Sequence, residues 1–416
     1  MKPALLFLCH RFPFPPDKGD KIRSFHLLSY LAEHYRVYLG AFVDDERDWL
    51  HAAEIQRWCE ESKLLRLAPG RARLRSLRGL LSARPLTLPY YAMPEMSRWV
   101  AQVTRRERLT RALVFSSSMA QYVLGKGFEQ VRRVIDFVDV DSDKWRQYAE
   151  RQAPPLKWIY RREARKLLVY ERRVASVADA SLFVSQIEAD LFRSLAPEAG
   201  DRVGFFSNGV DTTRFAPDLD LDSPYAQGER VIVFAGAMDY WPNVDAVEWF
   251  AAQVFQQLHA DDPSVRFFIV GRNPTQAVKR LGERPGVVVT GGVADVRPYV
   301  LHSRLSVAPL RVARGIQNKV LEAMAMGRPV LASRAALEGI SARPGQEMML
   351  AEGAAEFLQQ SRLALAADLT AMGARARQRV LNDYVWERHL PGVLEMLESA
   401  GPGSPVERLE ASRDHG

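Results

Sequence analysis

Lys319 and Glu322 stand three residues apart in the run NKVLEAMA that begins at Asn318. On a helix, that spacing sets an ammonium and a carboxylate on one face. The ammonium can hold phosphate oxygens, and the carboxylate can accept hydrogen bonds from a ribose diol. Such a pair suits the handling of a nucleoside diphosphate group, and both residues are the catalytic candidates. The loop before them supplies Arg311, Arg314, Gly315, Ile316, Gln317 and Asn318, which combine two guanidinium groups with a glycine that lets a ligand approach the backbone. Two further stretches could contribute. Gly236 to Asn243 follows an apolar run, and Arg272 follows Gly271 at the end of another. Lys18, Gly19 and Asp20 close a proline-stiffened loop near the amino terminus, where phosphate or sugar groups could meet the backbone.

The elements that must position these residues are legible from pattern. Leu305–Leu310 and Val330–Ser333 are short apolar runs suited to buried parallel strands. Between them the spacing predicts a helix, with Asn318 as its cap, good helix formers from Lys319 to Met326, and Gly327 followed by Arg328 and Pro329 as its stop. Val320, Leu321 and Met324 then face inward. In such a unit the loop lies at the carboxyl edge of the sheet, and the amino end of the helix favours an anion. Strands are also expected at Val231–Ala235, Arg266–Val270 and Val287–Thr290, with a helix over Val244–His259 and a short one over Asp295–Ser303. The glycines that end those strands, Gly236, Gly271 and Gly291, would line one rim and could frame a nucleobase.

The amino-terminal half repeats the theme. Leu5–Cys9, a helix over Lys21–His34 that buries Phe25, Leu28, Leu31 and Ala32, and Val37–Phe42 form a βαβ unit. Val134–Val138, a basic helix over Lys157–Arg173 and Ala180–Val184 follow. The Asn208-Gly209 turn marks the crossing between the halves. Asp139, Asp141 and Asp143 lie in alternate positions and could offer oxygen ligands to a divalent cation; an acid-rich loop at a strand end is the alternative, and no metal is expected.

These motifs resemble a known family. Glu322-Ala323-Met324-Ala325, Gly327, Pro329 and Val330 match the carboxyl-terminal signature of retaining glycosyltransferases with the GT-B fold, called group 1 or family 4. The resemblance implies two Rossmann-like doubly wound lobes facing a central cleft, with a carboxyl-terminal helix crossing back to the first lobe. Residues 1–205 would form the acceptor-binding lobe, 206–380 the nucleotide-sugar lobe, 381–398 the crossover helix and 399–416 a disordered tail. It implies that Glu322 binds the ribose of a nucleotide-sugar, that Lys18, Gly19 and Asp20 belong to the loop facing donor or acceptor, and that no cofactor beyond the nucleotide-sugar co-substrate is needed. Three positions depart from it. Arg314 occupies the place of the family's first glutamate, and Ala237 and Asn243 occupy places where many members carry an arginine and a lysine. The diphosphate charge would then fall to Lys319, Arg311, Arg314 and Arg272. The combination of GAMDYWPN, GIQNKVLEAMAM and DFVDVDSDKW further resembles a bacterial branch associated with exosortase/PEP-CTERM exopolysaccharide systems.

Composition sets outer limits. The 416 residues suffice for two or three domains, and 47% hydrophobic with 26% charged residues is globular, which excludes wholesale disorder. Two cysteines, Cys9 and Cys59, make neither a disulfide framework nor a zinc site, and suit a reducing cytoplasm. No apolar run reaches the length of a membrane span. The net charge of +7 permits several anionic partners. No groove-reading motif is present, so nucleic acid is not expected. Arg71–Arg84 interleaves arginine with leucine without any acid, which suits an anionic membrane surface as well as a solvated face. The reading that follows is sugar transfer from a nucleotide-sugar donor to a glycan or polyprenyl-linked acceptor, in the cytoplasm or peripherally at the inner membrane. A non-catalytic nucleotide-sugar binder and a nucleotide-sugar epimerase are the alternatives.

Overall fold

A computed structural model describes residues 2–16, 19–82, 84–150, 152–313 and 315–399. The chain divides into two compact units, one made of residues 1–207 with 389–416 and the other of residues 208–388. Lys18, Arg314 and the tail from 400 onward lie outside the described residues.

The first unit is built on a seven-stranded sheet. Its strands are β1 (Ala4–Cys9), β2 (Arg36–Val43), β3 (Glu61–Arg66), β4 (Arg111–Phe115), β5 (Arg132–Val138), β6 (Ala180–Phe183) and β7 (Val203–Phe205), in the spatial order β3-β2-β1-β4-β5-β6-β7. All these pairings are parallel, with Leu5 opposite Val37 and Leu6 opposite Ala112. Parallel strands covered on both faces by helices must be apolar throughout, which is why Leu5, Leu6, Phe7, Leu8 and Cys9 are all fully buried. The order reverses between β1 and β4, so the ends of those strands flank a crevice.

The helix after β1 spans Gly19–His34, so Gly19 opens it rather than preceding it. Its buried face also differs from the apolar reading: Lys21, Arg23, Ser24, Leu27, Leu28 and Leu31 face inward, while Phe25 is half-buried against Phe14 and Trp58. The two buried cations are each matched. Lys21 Nζ lies 2.7 Å from Asp48 Oδ1, and the Arg23 guanidinium makes a two-pronged contact with Asp136 at 2.8 and 3.1 Å. Arg23 also donates to the Phe206 carbonyl at 3.0 Å and lies flat on the Phe206 ring. The final helix, Trp386–Glu398, returns to this unit: Arg111 Nε donates to the Leu397 carbonyl at 3.0 Å, and Tyr35 bonds Glu398 at 3.2 Å.

The second unit has a six-stranded parallel sheet of β8 (Arg230–Ala235), β9 (Val265–Val270), β10 (Val287–Gly291), β11 (Leu305–Ala308), β12 (Val330–Ala332) and β13 (Met349–Leu350), ordered β10-β9-β8-β11-β12-β13. Here the order reverses between β8 and β11. The helix after β8 begins at Trp241, three residues earlier than its apolar pattern suggests, because Pro242 sits in the first turn, where its missing N–H costs nothing. It continues to Asp261 through one wide turn at Ala251–Phe255.

Both units therefore have the parallel α/β architecture of the GT-B fold. Cys9 and Cys59 are free thiols. Among the described residues no helix is long and apolar enough to cross a membrane.

Candidate functional site

The helix Asn318–Ala325 follows β11, and its position is fixed by its apolar side. Val320, Leu321, Ala323 and Met324 are buried, and burial of Leu321 and Met324 contributes about 2 kcal/mol each. Gln317, not Asn318, occupies the capping position. It makes no side-chain cap bond; its amide donates instead to the Gly315 carbonyl at 3.1 Å. Asn318 is the first helical residue, and its Oδ1 accepts from Asn208 Nδ2 at 3.3 Å. At the far end, the Gly327 N–H donates to the Met324 carbonyl and the Arg328 N–H to the Ala323 carbonyl, both at 2.9 Å. Gly327 has φ +65°, so the stop predicted from its identity is a left-handed glycine cap.

Lys319 reaches from this helix to the one that follows β8. Its Nζ donates to Asn243 Oδ1 at 2.5 Å and lies 4.5 Å from the centre of the Phe234 ring. Asn243 is buried and anchored in turn, its Nδ2 donating to the Ala237 carbonyl at 2.9 Å. This contact spans the point where strand order reverses, which is where open α/β sheets bind ligands. Gly236 lies directly beside it: a Cβ there would stand 2.8 Å from Asn243 Nδ2 and 3.4 Å from Lys319 Nζ. One strand over, a Cβ on Gly271 would fall 1.6 Å from the Gly236 carbonyl oxygen, so glycine is required for the two strand ends to meet.

The electrostatics follow from burial. Loss of water pulls the Lys319 ammonium down to about 7, against the restoring charge of Glu322. Burial likewise pushes the Glu322 carboxyl up to about 7, opposed by the charges of Arg214 and Lys319. A cation and an acid that both change state near neutrality thus lie three residues apart on the helix at the strand-order reversal.

Residues 229–368 match the glycosyl transferases group 1. No curated protein matches the chain. Among solved structures, HepE of Anabaena in complex with UDP and glucose is 14% identical with a TM-score of 0.65, covering 95% of this chain and 99% of that one. Sucrose-phosphate synthase of Thermosynechococcus elongatus is 18% identical with a TM-score of 0.69, covering 99% and 100%. WaaG, a glycosyltransferase involved in lipopolysaccharide biosynthesis, is 14% identical with a TM-score of 0.66, covering 95% and 100%. These likenesses show that the chain has the GT-B fold.

Gly236, Asn243 and Lys319 meet here, with Glu322 three residues further along the helix, and other candidates are placed differently. Gly315, with φ +62°, and Ile316 are buried just ahead of the helix. Arg311 is not a free cation for phosphate: its guanidinium is engaged two-pronged with Asp245. Arg272 is half-buried, and its backbone carbonyl accepts from the Met238 N–H at 2.8 Å. Asn208, Arg214 and Phe234 also act on this helix, on Asn318, Glu322 and Lys319 in turn. Asn208 sits in the Asn-Gly turn read only as a crossing signal, and its bond to the helix start spans 110 positions of sequence.

In the first unit, the equivalent crevice is occupied by charge pairs. The Asp20 carboxyl resists ionisation through burial, but the hydrogen bond from His10 and the charges of Arg11 and His10 outweigh this and hold it well below the usual carboxylate range. Arg11 is shared between Asp20 and Asp44, and His10 stacks on Phe115 at 5.4 Å. Asp20 is therefore tied to its neighbours, while Gly19 remains exposed. The acidic triplet is likewise engaged. Lys144 lies 2.5 Å from Asp139 and 3.4 Å from Asp141, and Arg146 lies 2.6 Å from Asp143. Among the described residues no cluster of three or more His, Cys, Asp or Glu side chains is arranged to hold a metal ion.

Proposed function

We propose that this protein transfers a sugar, with retention, from a nucleotide-sugar donor to a glycan or polyprenyl-linked acceptor in bacterial exopolysaccharide synthesis. The observation that carries the reading is the Lys319–Asn243 contact across the strand-order reversal, next to Glu322, within the group 1 segment. HepE, which shares the fold, is solved with UDP and glucose.

In this reading the donor diphosphate rests against the amino end of the Asn318–Ala325 helix. Lys319 would leave Asn243 for the phosphate oxygens and meet the negative charge that grows as the sugar bond breaks. One well-placed donor of this kind contributes on the order of 3 kcal/mol to the barrier. Glu322, ionised, would accept the ribose hydroxyls. The acceptor hydroxyl attacks the anomeric carbon from the face the diphosphate leaves and gives its proton to the departing phosphate oxygen, so no protein nucleophile is called on. With the diphosphate charge met by Lys319, a chelator should leave turnover unchanged. Incubating the purified chain with a panel of nucleotide-sugars and following release of nucleoside diphosphate tests the proposal. Donor protected without being consumed would point to a binding protein, and interconversion of the donor sugar without acceptor to an epimerase.

A further inference from the structure

In the first unit, exposed arginines and exposed large apolar side chains fall on the same two segments. The helix Pro69–Leu77 exposes Leu74 and Leu77 by 69% and 54%, one turn apart, beside exposed Arg71 and Arg73. The next turn, Arg78–Leu81, exposes Leu80. The long helix Leu156–Val177 begins with exposed Leu156 and with Trp158, which is 65% exposed, and continues with exposed Arg161 and Arg165 at intervals that keep them on the face of Trp158.

These two segments are fastened together. The Arg162 guanidinium donates to the carbonyls of Gly79 at 2.6 Å and Ser82 at 2.5 Å. Glu163, fully buried, accepts from the N–H groups of Leu86 and Thr87. The leucines and the tryptophan thus lie on two segments joined by hydrogen bonds. Its charge is one-sided. Residues 67–92 hold no acid, and the two acids between 152 and 171 are Glu163 and Glu171, both buried. The nearest flanking acids, Glu95 and Glu150, stand on neighbouring helices, and Glu150 is paired with Arg146.

Exposed leucines one turn apart, a tryptophan at their edge and unopposed arginines around them form the pattern of an interfacial anchor. Leucine and indole seek the acyl boundary, and guanidinium groups seek lipid phosphate. A soluble acidic polymer would satisfy the arginines and leave the leucines in water. We propose that this surface docks the protein on an anionic lipid bilayer through Leu74, Leu77 and Trp158, with Arg71, Arg73 and Arg161 on headgroup phosphates. The inference stands apart from the sugar-transfer reading, since docking needs no donor.

Co-sedimentation of the full chain with vesicles of phosphatidylcholine, with and without phosphatidylglycerol, tests it. Binding is expected only to the anionic vesicles and should weaken as salt is raised. Arg71→Ser and Arg73→Ser should each weaken binding about fivefold. Leu74→Ser/Leu77→Ser, which changes no charge, should weaken it on the order of tenfold or more, with the melting temperature held. Equal binding to both vesicle types would overturn the proposal. So would undiminished binding of the leucine double variant, which would assign the surface to a soluble polyanion. A variant that no longer sediments yet still turns over donor with a soluble acceptor would separate docking from catalysis.

Discussion

If Lys319 grips the donor diphosphate, donor affinity must depend on pH in a way that surface lysines cannot imitate. The free protein holds the Lys319 ammonium at about 7, because burial removes its water. A bound diphosphate supplies a counter-charge and raises that value again, so binding above neutrality takes up a proton. At pH 8 roughly one Lys319 in ten is charged, and protonating the rest costs about 1.4 kcal/mol, or about tenfold in affinity for each further pH unit. On the acid side the sign reverses. Glu322, pushed up to about 7, passes into its neutral form as pH falls and loses its capacity to accept from the ribose. Affinity should therefore peak near neutrality, and the two limbs belong to the pair as a unit. Isothermal titration of the nucleoside diphosphate released from the preferred donor, in buffers of different protonation enthalpy, reads the uptake directly. Lys319→Arg keeps its charge and should flatten the alkaline limb. An affinity that stays constant from neutrality to pH 9, or binding with no proton uptake, would refute the placement of the phosphates.

Four further outcomes follow from the same geometry. Glu322→Gln should weaken nucleoside diphosphate binding by about ten- to hundredfold while leaving the melting temperature close to that of the parent, read by titration calorimetry and thermal shift. Gly236→Ala should displace Asn243 and lower donor turnover with little loss of stability, whereas Gly271→Ala meets a backbone oxygen and should destabilise by about 3 kcal/mol in urea unfolding. Arg23→Met should cost about 3 to 5 kcal/mol by leaving Asp136 buried and unpaired, and Arg23→Met/Asp136→Leu should recover most of that loss. Asn243→Ala should free the Lys319 ammonium from its resting partner, and the change in its pH limb would show how much that bond holds the cation in place.

The doubly wound parallel fold was legible because its strands are buried on both faces. Runs such as LLFLC and VIVFA admit few other structures, and the glycine at position 327 marks a helix end by a backbone requirement. The reading failed where charge went inside. Lys21 and Arg23 look like the solvent side of the first helix, yet their partners Asp48 and Asp136 lie 27 and 113 positions away, beyond any periodicity. The same distance hid the Arg311–Asp245 pair, so a guanidinium counted toward phosphate is already engaged. Trp241 and Pro242 read as loop because a proline in the first turn of a helix resembles one that breaks it. The Lys319–Glu322 face was visible from spacing alone; the residue that Lys319 holds, Asn243, lies 76 positions before it.

The first unit takes the greater part of its last helix, from His389 onward, with all of the second unit encoded in between. A ribosome therefore releases β1 to β7 long before the segment that receives Tyr35 and Arg111 exists, and that half must wait, incomplete, while its neighbour is made. The second unit has no such debt: it is one unbroken stretch and should mature first, despite being synthesised later.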